Sequence, residues 1–104
     1  MPDEPFTVAF VGHAADAAAA HAYEDVVLPL LAEHGARVLY RGRRSEGQDP
    51  ALPVEVHLLW FPGREAFDAY LADPRRQAAI DEHGAVFSAT AVVRLDAVTG
   101  PTPL

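Results

Sequence analysis

Glu33-His34-Gly35-Ala36 recurs as Glu82-His83-Gly84-Ala85, and each copy falls where a helix-forming stretch gives way to an extended one. A glycine at such a point can adopt the left-handed backbone that ends a helix, and a histidine just before it sits near the negative end of the helix dipole. Phe6 to Gly12 alternates and is rich in aromatic and β-branched residues, so it reads as a first strand. From Ala14 to His34 the residues Tyr23, Val27, Leu30 and Leu31 recur at helical spacing behind a capping Asp16. Pro29 cannot supply the amide that would bond to Asp25, so a kink or break is expected there. Arg37 to Gly42 reads as the second strand, completing one βαβ unit ahead of an exposed connection over residues 43–53.

The second unit opens on Val54 to Phe61, the strongest strand signal in the chain, which stops at Pro62-Gly63. A helix from Arg64 is interrupted at Asp73-Pro74, where a new helix starts with Asp73 as its cap and runs to about His83. Residues 86–98 read as the fourth strand. The expectation is one α+β domain over residues 1–104 of ferredoxin-like βαββαβ order, a four-stranded antiparallel sheet with its helices on one face. Residues 1–5 and 99–104 read as irregular tails, the second of which could lie across a partner.

Alternation gives each strand residue a face. One consistent choice puts Phe6, Val8, Phe10, Val38, Val56, Leu58, Trp60, Phe87, Ala89, Ala91, Val93 and Leu95 under the helices. The other face then carries Thr7, Ala9, Val11, Leu39, Glu55, His57, Leu59, Phe61, Ser88, Thr90, Val92 and Arg94, which is too apolar to stand in water. A homodimer packing these faces together is expected.

A formal net charge of -7 opposes attraction to phosphate backbones and anionic membranes, so neither nucleic acid nor membrane is expected as a partner. The absence of cysteine removes disulfides, thiolate metal sites and cysteine nucleophiles. The acidic, proline-containing start shows no export signal, which makes the cytoplasm the expected location. No phosphate-binding glycine loop or metal-ligand spacing stands out, so no cofactor and no metal are expected.

The run Tyr23 to Leu31, then His34-Gly35-Ala36-Arg37, Arg41-Gly42, Phe61-Pro62-Gly63-Arg64-Glu65-Ala66-Phe67, Tyr70 and Asp73-Pro74-Arg75, resembles the small dimeric α/β-barrel proteins. The nearest likeness is to a family of that superfamily whose function is unknown. Antibiotic-biosynthesis monooxygenases, muconolactone isomerases, polyketide cyclases and haem-binding chlorite dismutases are more distant members. The likeness covers residues 22–98; its motifs are structural, so it implies the fold and not a reaction.

His57 is the first candidate for chemistry, with Glu55 two residues away on the same side, so that a carboxylate could orient an imidazole base. The blander outcome, a pair hydrogen-bonded across an interface or at an edge, is the commoner one in proteins. Arg94 could steady an oxyanion, or form an interchain salt bridge. Thr90, Ser88, Leu59 and Phe61 share that face as candidate binding residues, and His13 joins them from the mouth of the sheet. Tyr40 and Trp60 read as core packing, and Arg37, Arg41, Arg43 and Arg44 as a solvated, charge-defended edge. Three functions follow: a cofactor-independent isomerase, cyclase or monooxygenase acting on a small, mainly apolar molecule in the dimer cavity, a non-catalytic binding module using the same cavity, or a haem protein with an axial histidine.

Overall fold

The computed structural model describes residues 4–96. Strands β1 (Phe6–His13), β2 (Arg37–Arg43), β3 (Glu55–Phe61) and β4 (Ala89–Leu95) form one antiparallel sheet in the order β2-β3-β1-β4. Between β1 and β2 lies α1 (Ala17–Val27), which continues as a 3₁₀ segment (Leu28–His34); between β3 and β4 lie α2 (Arg64–Leu71) and α3 (Pro74–His83). Among the described residues no helix is long and apolar enough to cross a membrane.

The local signals act where expected. Asp16 accepts from the Ala19 amide at 3.1 Å and Asp73 from the Arg75 amide at 2.9 Å, each satisfying a helix-start donor. The break at Pro29 takes the form of the 3₁₀ segment, whose tighter bonding does not need the missing amide. Gly35 ends that segment with φ 71°, the left-handed conformation a side chain would strain. The fourth strand starts at Ala89 and not at 86: Val86 and Phe87 leave the sheet line and pack against Ala20, Tyr23 and Ala79, while its expected end at 97–98 lies outside the described residues. The expected tail over 99–104 lies outside the described residues.

The face assignment needs correction on β3 and β4. Register pairs Phe6 with Phe61, Val8 with Leu59 and Phe10 with His57, and on the other side Val8 with Arg94 and Phe10 with Val92. Directly paired residues share a face. Glu55, His57, Leu59 and Phe61 therefore lie with Phe6 and Val8 under the helices, where Leu28, Leu31 and Tyr70 close the core. Thr90, Val92 and Arg94 are on that side too. The open face carries rows such as Leu95-Thr7-Trp60-Arg37 and Val93-Ala9-Leu58-Tyr40. Tyr40 and Trp60 are thus on the open side, Tyr40 59% exposed and Trp60 beneath the Arg37 guanidinium at 4.5 Å. Apolar residues occupy both sides of β3, so its alternation left the choice to Glu55 and His57, and their polarity pointed the wrong way.

Gly12 sits where a Cβ would fall 2.6 Å from the Phe87 ring and 2.9 Å from the Phe10 ring. Gly12→Ala is expected to destabilise the fold by about 1–3 kcal/mol through overpacking; a chemical-denaturation midpoint equal to that of the unmodified protein would contradict this.

Candidate functional site

Three elements converge at one end of the sheet. Glu55 and His57 stand two apart on β3 and so share a face; Arg41 and Arg43 do the same on β2, paired across from His57 and Glu55. Above them α1 supplies His21, Glu24 and Asp25, spaced three and four apart and hence on one side of the helix.

Glu55, with no exposed surface, is the centre of this cluster. Its Oε1 accepts from Arg41 Nε at 2.8 Å and His57 Nε2 at 2.7 Å, and its Oε2 from Arg41 Nη2 at 2.8 Å and His21 Nδ1 at 2.6 Å. Burial by itself would raise this carboxyl, but the bonds from Arg41, His57 and His21 outweigh it and hold the group at about 2. Arg41 also donates to Asp25 Oδ1 at 2.7 Å, as Arg43 does at 2.9 Å, which ties β2 to α1. Arg41, expected as part of a solvated edge, instead neutralises a buried carboxylate, whereas Arg43 stays half exposed against Asp25.

His57 is 1% exposed and stacks on Phe10 at 4.9 Å between ring centroids. Its Nδ1 lies 3.1 Å from Oε2 of Glu24, itself 5% exposed. Burial lowers the His57 pKa against the pull of Glu55. Burial, followed by repulsion from Glu55, raises Glu24 to about 7. Two carboxylates on one imidazole are thus driven apart, one firmly ionised and one able to exchange its proton near neutrality.

His57 and Glu24 form part of the wall of a cavity of about 190 Å³ between sheet and helices. The rings of Phe10, Phe61, Phe67, Phe87, Tyr23 and Tyr70 line it with Leu59 and Val27, and burial raises the Tyr70 hydroxyl to about 12. Thr90 and Val92, lining residues on β4, are exposed, so the cavity opens past them. Of the sequence candidates, the structure brings together His57, Glu55, Leu59, Phe61 and Thr90. Arg94 lies apart from the cavity, its guanidinium 4.3 Å over the Phe6 ring in a surface groove with Trp60 and Asp96. Ser88 and His13 meet each other instead: the Ser88 hydroxyl bonds the His13 carbonyl at 3.2 Å, and the His13 ring bonds the Ala51 carbonyl.

Glu24, Glu55 and His57 also present ligand atoms within 4.8 Å of one another, the one such grouping among the described residues. Glu55 is a poor metal ligand there, because the Arg41 charge already balances it and four donors fill its oxygens. Both His57 nitrogens face carboxylates, which leaves none directed at a haem iron. Sequence reading passed over Glu24, His21 and Arg76. A glutamate within the helical stripe of Ala20, Tyr23 and Val27 was a readable sign of a buried acid; Arg76 carried no sign.

Residues 5–96 match the family described as domain of unknown function DUF1330. Among solved structures, a protein of unknown function from Rhodopseudomonas palustris superposes with TM-score 0.72 at 20% identity, covering 95% of this chain and 86% of its own. A dimeric protein of unknown function and ferredoxin-like fold from Bacteroides fragilis gives 0.66 at 10%, covering 88% and 95%. SnoaB, a cofactor-independent oxygenase from Streptomyces nogalater, gives 0.63 at 16%, covering 95% and 97%. No curated protein matches the chain.

The raised Glu24 pKa has a signed consequence. The native state keeps a proton that the unfolded chain releases from its ordinary 4.5 upward, so stability from this group is whole below 4.5 and declines until about 7. The decline amounts to roughly 3 kcal/mol. His57 acts oppositely, losing stability as pH falls below 6.5. Glu24→Gln removes only the first effect, so the melting temperature of the variant minus that of the unmodified protein should climb between pH 4.5 and 7. A flat difference in a calorimetric pH series would show that Glu24 is not held protonated.

Proposed function

This chain belongs to the DUF1330 family, and we propose that it is a cofactor-independent enzyme that moves a proton on a small, mainly apolar, one-ring molecule in the His57 cavity. The observation that carries this is the Glu24–His57 contact at 3.1 Å in the wall of an aromatic cavity. In its proton-free form the pair accepts a proton from an acidic C–H or O–H of the substrate, leaving an enolate or phenolate. Return of that proton to another atom completes an isomerisation with no oxidant consumed. Glu55, anchored by Arg41, positions the imidazole by accepting from Nε2, so that Nδ1 faces Glu24. Leu59, Phe61 and Thr90 form part of the substrate's surroundings. The oxygenase from Streptomyces nogalater supports reading this fold as a host for chemistry without a bound helper. Non-catalytic binding is favoured by a different observation, the full engagement of His57 by its two neighbours.

Phenylacetaldehyde, neutral and enolisable, separates the two. The protein is expected to speed deuterium uptake at its benzylic carbon in heavy water, with His57→Gln lowering the rate by about 100-fold or more. Unchanged exchange with and without the protein, alongside a ligand-induced rise in melting temperature, would leave the binding reading in its place.

The open face supports a homodimer, which we propose works in the cytoplasm. Val56, Leu58, Trp60 and Val93 lie on it with none of the helices among the described residues above them, and a second copy related by a two-fold axis would cover them. The dimeric Bacteroides fragilis protein of like fold supports this occupant. Sedimentation velocity at micromolar concentration should show a dimer that Leu58→Asp dissociates; a monomeric unmodified protein would overturn the assignment.

A further inference from the structure

We propose that Arg76 is the oxygen-binding residue of the cavity and that its ligand is a one-ring aromatic or enolic molecule bearing an anionic oxygen, which accepts from the Arg76 guanidinium. This rests on the reading of the His57 cavity as a substrate site and names the class of molecule it takes.

Arg76 is the third residue of α3 and lines the cavity that His57 and Glu24 wall from below. Its Nε is buried and has no hydrogen-bond partner, the one side-chain atom of that kind among the described residues. A buried donor normally finds an acceptor, because leaving water without one forfeits its hydration. The rest of the guanidinium has partners: Nη1 reaches the Leu71 carbonyl at 3.5 Å, and the group lies 5.5 Å from the centre of the Tyr70 ring, bonds the Tyr70 side chain and attracts Glu24, which leaves Nε as its free donor. The contrast with Arg41 and Arg75 is plain, since both spend their guanidinium on short bonds to carboxylates.

Size and charge set the ligand class. A cavity of about 150 Å³ is enough to hold benzene, so the 190 Å³ here suits one ring with a small substituent, with more room past Thr90 and Val92. Six aromatic rings around the space favour a flat ring face. Among the lining residues Arg76 is the one with a fixed positive charge, so a ligand oxygen that is or becomes negative is favoured there. With its oxygen on Arg76 and its ring against the phenylalanines, a ligand presents its remaining edge to Glu24 and His57. Arg76 would then stabilise the enolate or phenolate that proton removal creates.

Benzoate and toluene are matched probes, sharing the ring and differing in the anionic oxygen. Binding to the full chain is followed by NMR at about pH 6, where benzoate is ionised, through the Arg76 Nε–H resonance and the ring protons of the probe. The expected result is benzoate binding at least ~10-fold tighter than toluene, about 1.4 kcal/mol, with the Arg76 Nε–H resonance displaced. Arg76→Gln should abolish that preference by weakening benzoate far more than toluene, and Arg76→Lys, which keeps the charge without Nε, should restore part of it. Should Arg76→Gln fail to fold, displacement of the native resonance by benzoate but not toluene decides the matter. Toluene binding without any preference for benzoate would overturn the role of Arg76 and leave the cavity as a substrate site. If neither probe binds, both readings fall.

Discussion

A carboxylate at zero exposure in a central strand is the constraint around which this molecule is arranged. Glu55 would be intolerable there as an isolated charge, because desolvation of an ion costs far more than its side chain gains by packing. The fold answers with a bidentate arginine from β2 and one histidine each from α1 and β3. Meeting those four donors requires β2 and β3 to keep their register and α1 to cross above that end of the sheet. Arg41 then passes the connection on to Asp25, so one ionic network fastens helix to edge strand. The other end of the sheet is closed by apolar packing of Phe6, Phe61, Leu31 and Tyr70.

The same network prepares the cavity. With Glu55 ionised and accepting, the Nε2 proton of His57 is committed and the ring is fixed in tautomer and plane, helped by Phe10 beneath it. Nδ1 is left to Glu24, whose burial keeps its proton exchangeable near neutrality. A polar pair of adjustable charge thus stands in a wall otherwise made of aromatic rings, while an unpaired arginine donor stands in the same lining. Apolar walls strengthen both, since less solvent is present to screen them.

The two sides of the sheet are occupied very differently. Under the helices it carries the ion network, the aromatic core and the cavity, whereas the open side offers valine, leucine, tryptophan and tyrosine, with Arg37 laid over Trp60. Strand β4 is exposed on both sides, with Val92 toward the cavity mouth and Val93 toward the open face. Any copy covering the open face at β4 would therefore lie near the cavity entrance.

The order of elements was legible in the residues because its signals are local. Asp16 and Asp73 cap, Pro29 breaks a helix, and Gly35 and Gly84 stop one, each through backbone geometry that needs no distant partner. The pairing of Glu55 with His57 was legible too, as a spacing of two on a strand. Which way that pair faced was decided only by the tertiary structure. A strand apolar on both sides has no preferred face of its own, and charge argues for the surface unless a partner arrives. The partners of Glu55 were Arg41 on another strand and His21 on a helix more than thirty residues earlier, which also brings Glu24 to His57. Compensation of a buried charge is a property of three elements meeting, and no stretch of one of them contains it.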